Sequence, residues 1–399
     1  MKKLIIFFLF SFYFGFSQIH SITVSKKNNF DFNSNLIVIP LEQFNEYVLG
    51  FDDLDLSYKS YYLKIEHQTQ NWEDSNINEI TYLRGFNNQP IRDYIQSSST
   101  KVPYLHYEIA LPEIKIGGNY LIKVSTDRYG RNLVFSKKIM VLDKKVNPFG
   151  KIEFSNFPSL RNSHQKIDLG FVYNKGLYFQ SKDDFKIKVF QNGQILEQEN
   201  WPSPIINDFE HKIYFQFFNG ENNIEAGNEF RLIDLRSSSQ NLINVTSISE
   251  ENGKNVLSTE LNKKESNGVY IQKLDRNQNY LFNNYEFPDQ LNMIDYVICR
   301  FLLNTNKQDE DIYVVGAFND FKFEDSNKMD FDASKKLYFK DILLKQGIYN
   351  YQFKGKINAS LIEGNYSLTE NQYEILVYLK EPGTNYDNLV GYTILRTKN

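Results

Sequence analysis

The chain has 399 residues, 41% hydrophobic and 24% charged, with a formal net charge of −4. A mildly acidic chain without basic clusters argues against nucleic acid as a partner, and no later apolar run reaches membrane-spanning length, which argues against direct membrane insertion. Cys299 is the single cysteine, so an intramolecular disulfide is excluded.

At the N-terminus, Lys2 and Lys3 precede an aromatic-rich apolar run over residues 4–16, and Ser17 follows it. The run is too short to span a bilayer. Residues 1–17 therefore read as a secretory signal peptide cut around Ser17 and Gln18. No cysteine follows the run, so a lipid anchor is not expected, and the exported chain should be soluble. Cys299 lies inside Tyr296-Val297-Ile298-Cys299-Arg300-Phe301 and is expected to be buried and chemically quiet. The 27 Tyr and 33 Phe have two readings, a binding surface or the amino-acid bias of a genome that also favours Asn, Lys and Ile.

Period-two alternation dominates the rest of the chain. Residues 36–41, 61–66, 104–111, 119–124 and 134–141 read as strands of a first unit, 18–146. Trp72 sits there in a polar turn, and Asp127-Arg128-Tyr129-Gly130 forms a hairpin tip. Asn147-Pro148-Phe149-Gly150 reads as a linker into a middle unit, 147–287. Its strands cover 166–173, 185–191, 212–218 and 229–235, and Asn192-Gly193 is the strongest short hairpin signal. Residues 237–267 are more polar, with a turn at Asn252-Gly253, and alternation resumes over 269–281. A third unit, 288–399, opens with residues 296–303 and 312–316. It continues through 337–344 and 346–353, and a hairpin around Glu381-Pro382-Gly383 is expected to complete it. The fold class is all-β, as tandem immunoglobulin-like or early-set β-sandwich domains.

Catalytic signatures are scarce. His20, His67, His106, His164 and His211 lack metal-ligand spacing, and there is no phosphate-cradling glycine loop and no nucleophile elbow. The acid pairs Asp52-Asp53 and Asp183-Asp184, and the run Asp309-Glu310-Asp311, read as solvated turn residues. The expectation is no enzyme, no metal and no cofactor. Residues 314–321, Val-Val-Gly-Ala-Phe-Asn-Asp-Phe, with residues 347–353, resemble starch- and glycogen-binding sandwich modules, which stack sugars on exposed rings. Phe321 stands where that motif usually has Trp, so the text suits a strand framework better than a sugar platform. An envelope glycan-binding β-sandwich protein is the alternative reading.

The order of several longer pieces carries a second resemblance. These are Tyr82-Leu83-Arg84-Gly85-Phe86, Ile91-Arg92-Asp93-Tyr94, residues 104–112, Gly118-Asn119-Tyr120, residues 230–236, residues 343–351, and Glu363-Gly364-Asn365-Tyr366 on to Gly391. Together they resemble the type IX secretion system plug protein family across nearly the whole exported chain. The resemblance implies a non-enzymatic periplasmic protein, associated with the outer membrane through its partner. That partner would be the outer-membrane translocon barrel, whose periplasmic opening the plug binds and occludes, and the plug would be monomeric when free. Contact residues expected for it are Trp72, an interface-type Trp in a turn, with Gly85, Phe86, Asp93, Tyr94 and His106 from the matched text. For the Gly85-Phe86 stretch the other reading is an ordinary crossover with Phe86 in the core. For Trp72 and Trp201 it is a lid over their own sandwich.

Overall fold

In a computed structural model of the chain, residues 18–27, 33–197, 201–239, 242–266, 268–288 and 290–397 are described. The expected signal peptide, 1–17, lies outside them. The fold is almost entirely β and built of packed sheets, consistent with β-sandwich domains. No helix among the described residues is long and apolar enough to cross a membrane.

The first unit pairs two sheets over one core. One sheet runs Ile19–Lys26, Tyr47–Asp53, Leu105–Ala110 and Asp93–Gln96. The other contributes Gln89–Ile91, Tyr61–Gln68, Gly118–Ser125 and Leu133–Leu142, with Val38–Pro40 added in parallel. Alternation sets the faces: Tyr61, Leu63 and Ile65 are buried while Tyr62, Lys64 and Glu66 between them are not. They meet Leu49, Phe51, Leu105 and Tyr107 from the opposite sheet.

The second of these sheets does not stop at the first unit. Leu142 pairs in parallel with Leu389, and the sheet continues through Asn388–Arg396, Gln372–Leu379, Phe185–Gln191 and Gln194–Ile195 to nine strands. Its far half packs on a five-stranded sheet built around Val146–Phe154, His164–Tyr173 and Lys212–Tyr214. Val146–Phe154 is thus a strand, paired residue for residue with His164–Tyr173, where a linker was expected. Pro148 fits because this is an edge strand, which owes no N–H to a further neighbour.

The middle sandwich therefore combines residues 146–226 with residues 371–397, and residues 229–367 are inserted between them. The inserted unit has its own two sheets. One holds Arg231–Asp234, Gly347–Gly355, Tyr280–Phe282 and Ile312–Val315; the other holds Val245–Glu251, Lys254–Thr259, Tyr296–Asn304, Leu337–Lys345 and Asp330–Asp332. Their shared core contains Leu257, Val297, Phe301, Tyr349 and Phe353. Cys299 is fully buried in it, and burial pushes its thiol well above its ordinary value. The hairpin expected to finish this unit forms, yet it closes the middle one instead. Strand pairing thus crosses both boundaries read from the sequence. Alternation marks a strand and its faces, whereas its ladder partner is chosen by packing between distant segments.

A chain ending at residue 370 should consequently lose protection in the middle unit. Phe185–Gln191 would be left without its ladder partner, and native-state hydrogen exchange at Lys186 and Lys188 should rise to the rate of an open edge.

Candidate contact surface and a buried carboxylate at the seam between units

Residues 79–87 form a pinned projection on the first unit. Glu79–Tyr82 makes one helical turn, after which Tyr82 and Leu83 are buried. Tyr82 OH donates to the Ile65 carbonyl at 3.2 Å, and Leu83 bridges Ile114. Gly85 then turns at φ +88°, a region that disfavours a side chain. Asn87 closes the loop by donating to the Ile65 carbonyl at 2.8 Å and accepting from the Ile65 N–H at 2.9 Å. Arg84 pairs with Glu113 at 2.9 Å, and Lys115 donates to the Ile80 carbonyl at 2.5 Å. Between these anchors Phe86 is 91% exposed and Ile80 76% exposed. A loop tied at both ends that leaves two apolar side chains in water has the form of a contact site.

Asp93 and Tyr94 lie on the edge strand Asp93–Gln96, whose four residues are all exposed. The Tyr94 ring sits 5.5 Å from Tyr107 and 5.5 Å from Tyr58, so a row of tyrosines runs from core to surface. The other two expected contact residues face seams between units. Trp72, at φ +66°, packs on the cluster of Met140, Phe190, Leu376 and Tyr378, with the Lys138 ammonium 4.7 Å over its ring. Its seam joins the first unit to the middle one. His106 is only partly accessible, and its Nδ1 lies 2.6 Å from Asp52. Trp201 leans on Phe215 and Phe217 and packs on the middle core.

Asp52 organises the seam between the first and inserted units. Its carboxylate is fully buried and receives Lys345 Nζ at 2.6 Å, Tyr296 OH at 2.6 Å and His106 at 2.6 Å. Lys345 also lies 4.3 Å over the Tyr104 ring, and Tyr104 OH donates to the carbonyls of Leu291 and Ile294. Asp295 answers from the inserted side, accepting from the backbone N–H of Lys101 and Val102 at 2.8 and 3.0 Å. Burial alone would raise the Asp52 carboxyl, but the Lys345 charge and the hydrogen bonds from His106 and Lys345 outweigh it and hold it at about 2. Asp53 is equally buried and accepts from Tyr61 OH at 2.7 Å and Lys59 at 2.9 Å. The Asp52-Asp53 pair, read as solvated, is interior. Two acids ending the apolar run Val48-Leu49-Gly50-Phe51 were the available signal, and Lys345 after Leu343-Leu344 was its complement.

The glycan-like text behaves as framework. Val314 and Val315 are fully buried, and Phe321, at φ +54°, is buried against Phe230. Among the described residues, no three His, Cys, Asp or Glu side chains gather as metal ligands would.

Residues 19–143 match the family model described as type 9 secretion system plug protein 1st domain. A crystal structure of a hypothetical protein from Parabacteroides merdae is 26% identical, with 95% of this chain and 97% of that chain covered and a TM-score of 0.85. A marsupial T cell receptor aligns at 9% identity with a TM-score of 0.16, too low to carry any argument. No curated protein matches.

Asp52→Ala should cost about 3–5 kcal/mol in urea unfolding, because Lys345 is left buried and unpaired, and adding Lys345→Met should recover part of that loss. The carboxyl is depressed in the folded state, so its contribution is complete above about pH 4 and is lost as pH falls toward 2. Acid titration of stability should show this step in the wild type and not in the double variant.

Proposed function

We propose, for a chain whose residues 19–143 match the model of the type 9 secretion system plug protein first domain, that it works by occlusion. In this reading it is a non-enzymatic periplasmic protein that binds the outer-membrane translocon barrel and closes its periplasmic opening. The observation that carries the reading is the pinned, 91% exposed Phe86 on that domain. The basic tip and apolar run of residues 2–16 support export across the inner membrane.

Occlusion asks for a stiff body and a contact that can be undone. Stiffness comes from the shared nine-stranded sheet and from ion pairs between the first and inserted units, Lys345–Asp52 at 2.6 Å and Lys137–Asp320 at 2.8 Å. Reversibility suits a surface in which apolar anchors, Ile80 and Phe86, stand among charged neighbours such as Arg84 and Lys115, with Asp93 and Tyr94 exposed on a separate edge strand. Such a mixed patch resembles a transient interface more than an obligate apolar seam. Phe86 is the natural hot spot, since its loop is already ordered and little entropy is lost on docking. The free protein is monomeric in this reading.

Phe86→Ala should change folding stability by no more than about 0.5 kcal/mol, as nothing packs on the ring. It should still weaken association with the solubilised translocon about tenfold or more, with Tyr94→Ala acting in the same direction. Deleting the gene should leave secretion possible and make the outer membrane permeable to large hydrophilic antibiotics. An intact permeability barrier in deletion cells that make the translocon would rule occlusion out.

A further inference from the structure

Alternation over residues 269–281 predicts a strand, yet ladder pairing starts only at Tyr280–Phe282. Residues 269–275 run along the inserted unit with no strand beside them. Among the described residues, none of their backbone N–H or C=O groups joins a hydrogen bond. Side chains hold the segment instead. Tyr270 OH donates to Glu229 at 2.5 Å, the Gln272 amide donates to Glu370, and Lys273 reaches Glu265 at 2.6 Å. Asp275 accepts from the Phe230 N–H at 2.8 Å. These anchors leave Val269, Ile271 and Leu274 exposed at 88%, 68% and 75%.

We propose that residues 269–275 are a docking strand that takes an extended, basic segment of a partner protein by β-augmentation. The class of occupant follows from the unpaired backbone. A run of free donors and acceptors is matched by another extended backbone, whereas a helix has satisfied its own. Exposed Val269 and Ile271 lie two apart, the spacing at which a paired strand presents side chains to one face. Charge selects between a foreign strand and a second copy of this chain. Glu229, Glu265, Asp275 and Glu370 surround the segment, against Lys273, Arg276 and Arg231, the last paired with Glu265 at 3.1 Å, so acids remain in excess. Burial, with Asp275 and Glu370 nearby, pushes the Glu229 carboxyl up to about 7. Self-pairing would bring two copies of this acidic surround together, which like-charge repulsion opposes. The docking strand belongs to the inserted unit and does not rest on the occlusion reading of the first.

The test uses the full exported chain and a fluorescein-labelled peptide of alternating Val and Lys. Saturable binding with a Kd below about 1 mM is expected, together with slowed amide exchange confined to residues 269–275. Ile271→Pro removes an N–H that is free in the isolated protein, so Tm should hold while binding weakens about tenfold or more. If that variant lowers Tm, Val269→Lys, which places a like charge in the apolar row formed with Ile271, serves in its place with the same expected loss. An alternating Val-Glu peptide should not bind. Absence of saturable Val-Lys binding, equal binding of the Val-Glu peptide, or binding unchanged in both variants would overturn the proposal. A concentration-dependent dimer lost on Ile271→Pro would also overturn it, by assigning the segment to a second copy.

Discussion

A carboxylate with no access to water must find its partners inside the protein, and Asp52 finds them on two units at once. His106 reaches it from the first unit, and Lys345 and Tyr296 from the inserted one. Removing two charges from water is costly, and their attraction roughly offsets that cost only when the geometry is good. The gain is in specificity more than in stability. A shift of the inserted unit by a fraction of the 2.6 Å bond length would strand a buried charge, so few competing orientations are tolerated. The partly accessible Lys137–Asp320 pair and the more exposed Lys101–Glu250 pair lie in the same interface. Solvent screens them more, and they add correspondingly less.

The second constraint is topological. Gln372–Leu379 pairs with Phe185–Gln191, almost two hundred positions earlier, and the intervening chain folds into the inserted unit. Closing so long a loop costs entropy that grows only slowly with length, but the native pairing cannot form before the last segment is present. During synthesis the edge of Phe185–Gln191 stays open while residues 229–367 emerge. An open, apolar edge is an aggregation hazard, and an inserted unit that folds early would shorten the effective loop. The same hairpin carries Leu376, Tyr378 and Leu389 into the seam with the first unit, so middle core and seam are completed together.

Local physics was legible in the sequence and long-range choice was not. The alternation of Tyr61 to Glu66 gave both the strand and its buried face. Asn192-Gly193 gave a tight turn with both residues at positive φ, and Asn252-Gly253 another. Nothing local could say that Leu379 faces Phe185, because a period-two pattern is satisfied by any partner of matching register. The contact residues divide along the same line. Phe86 stands in a stretch without alternation, and its exposure follows from anchors on either side, Tyr82 and Asn87, that bond to the distant Ile65. His106 alternates within Leu105–Ala110 like any half-exposed strand residue, and only the fold brings Asp52 beneath it.

The two unsatisfied surfaces differ in what they can bind, and the difference follows from how each is held. The Phe86 loop has its backbone tied down and offers side chains, so recognition there depends on the shape and chemistry of a pocket that receives a ring. Residues 269–275 have their polar side chains tied down and offer backbone, so recognition depends on extended geometry and tolerates varied sequence. A rigid body is needed for both, since a preorganised loop and an unpaired segment each lose their advantage if the units beneath them move. The buried Asp52 cluster and the shared nine-stranded sheet, whose strand Tyr61–Gln68 anchors the Phe86 loop, supply that rigidity. One surface lies on the first unit and the other on the inserted unit, and the seam between them is bonded around Asp52 and Asp295 and by the Lys137–Asp320 and Lys101–Glu250 pairs.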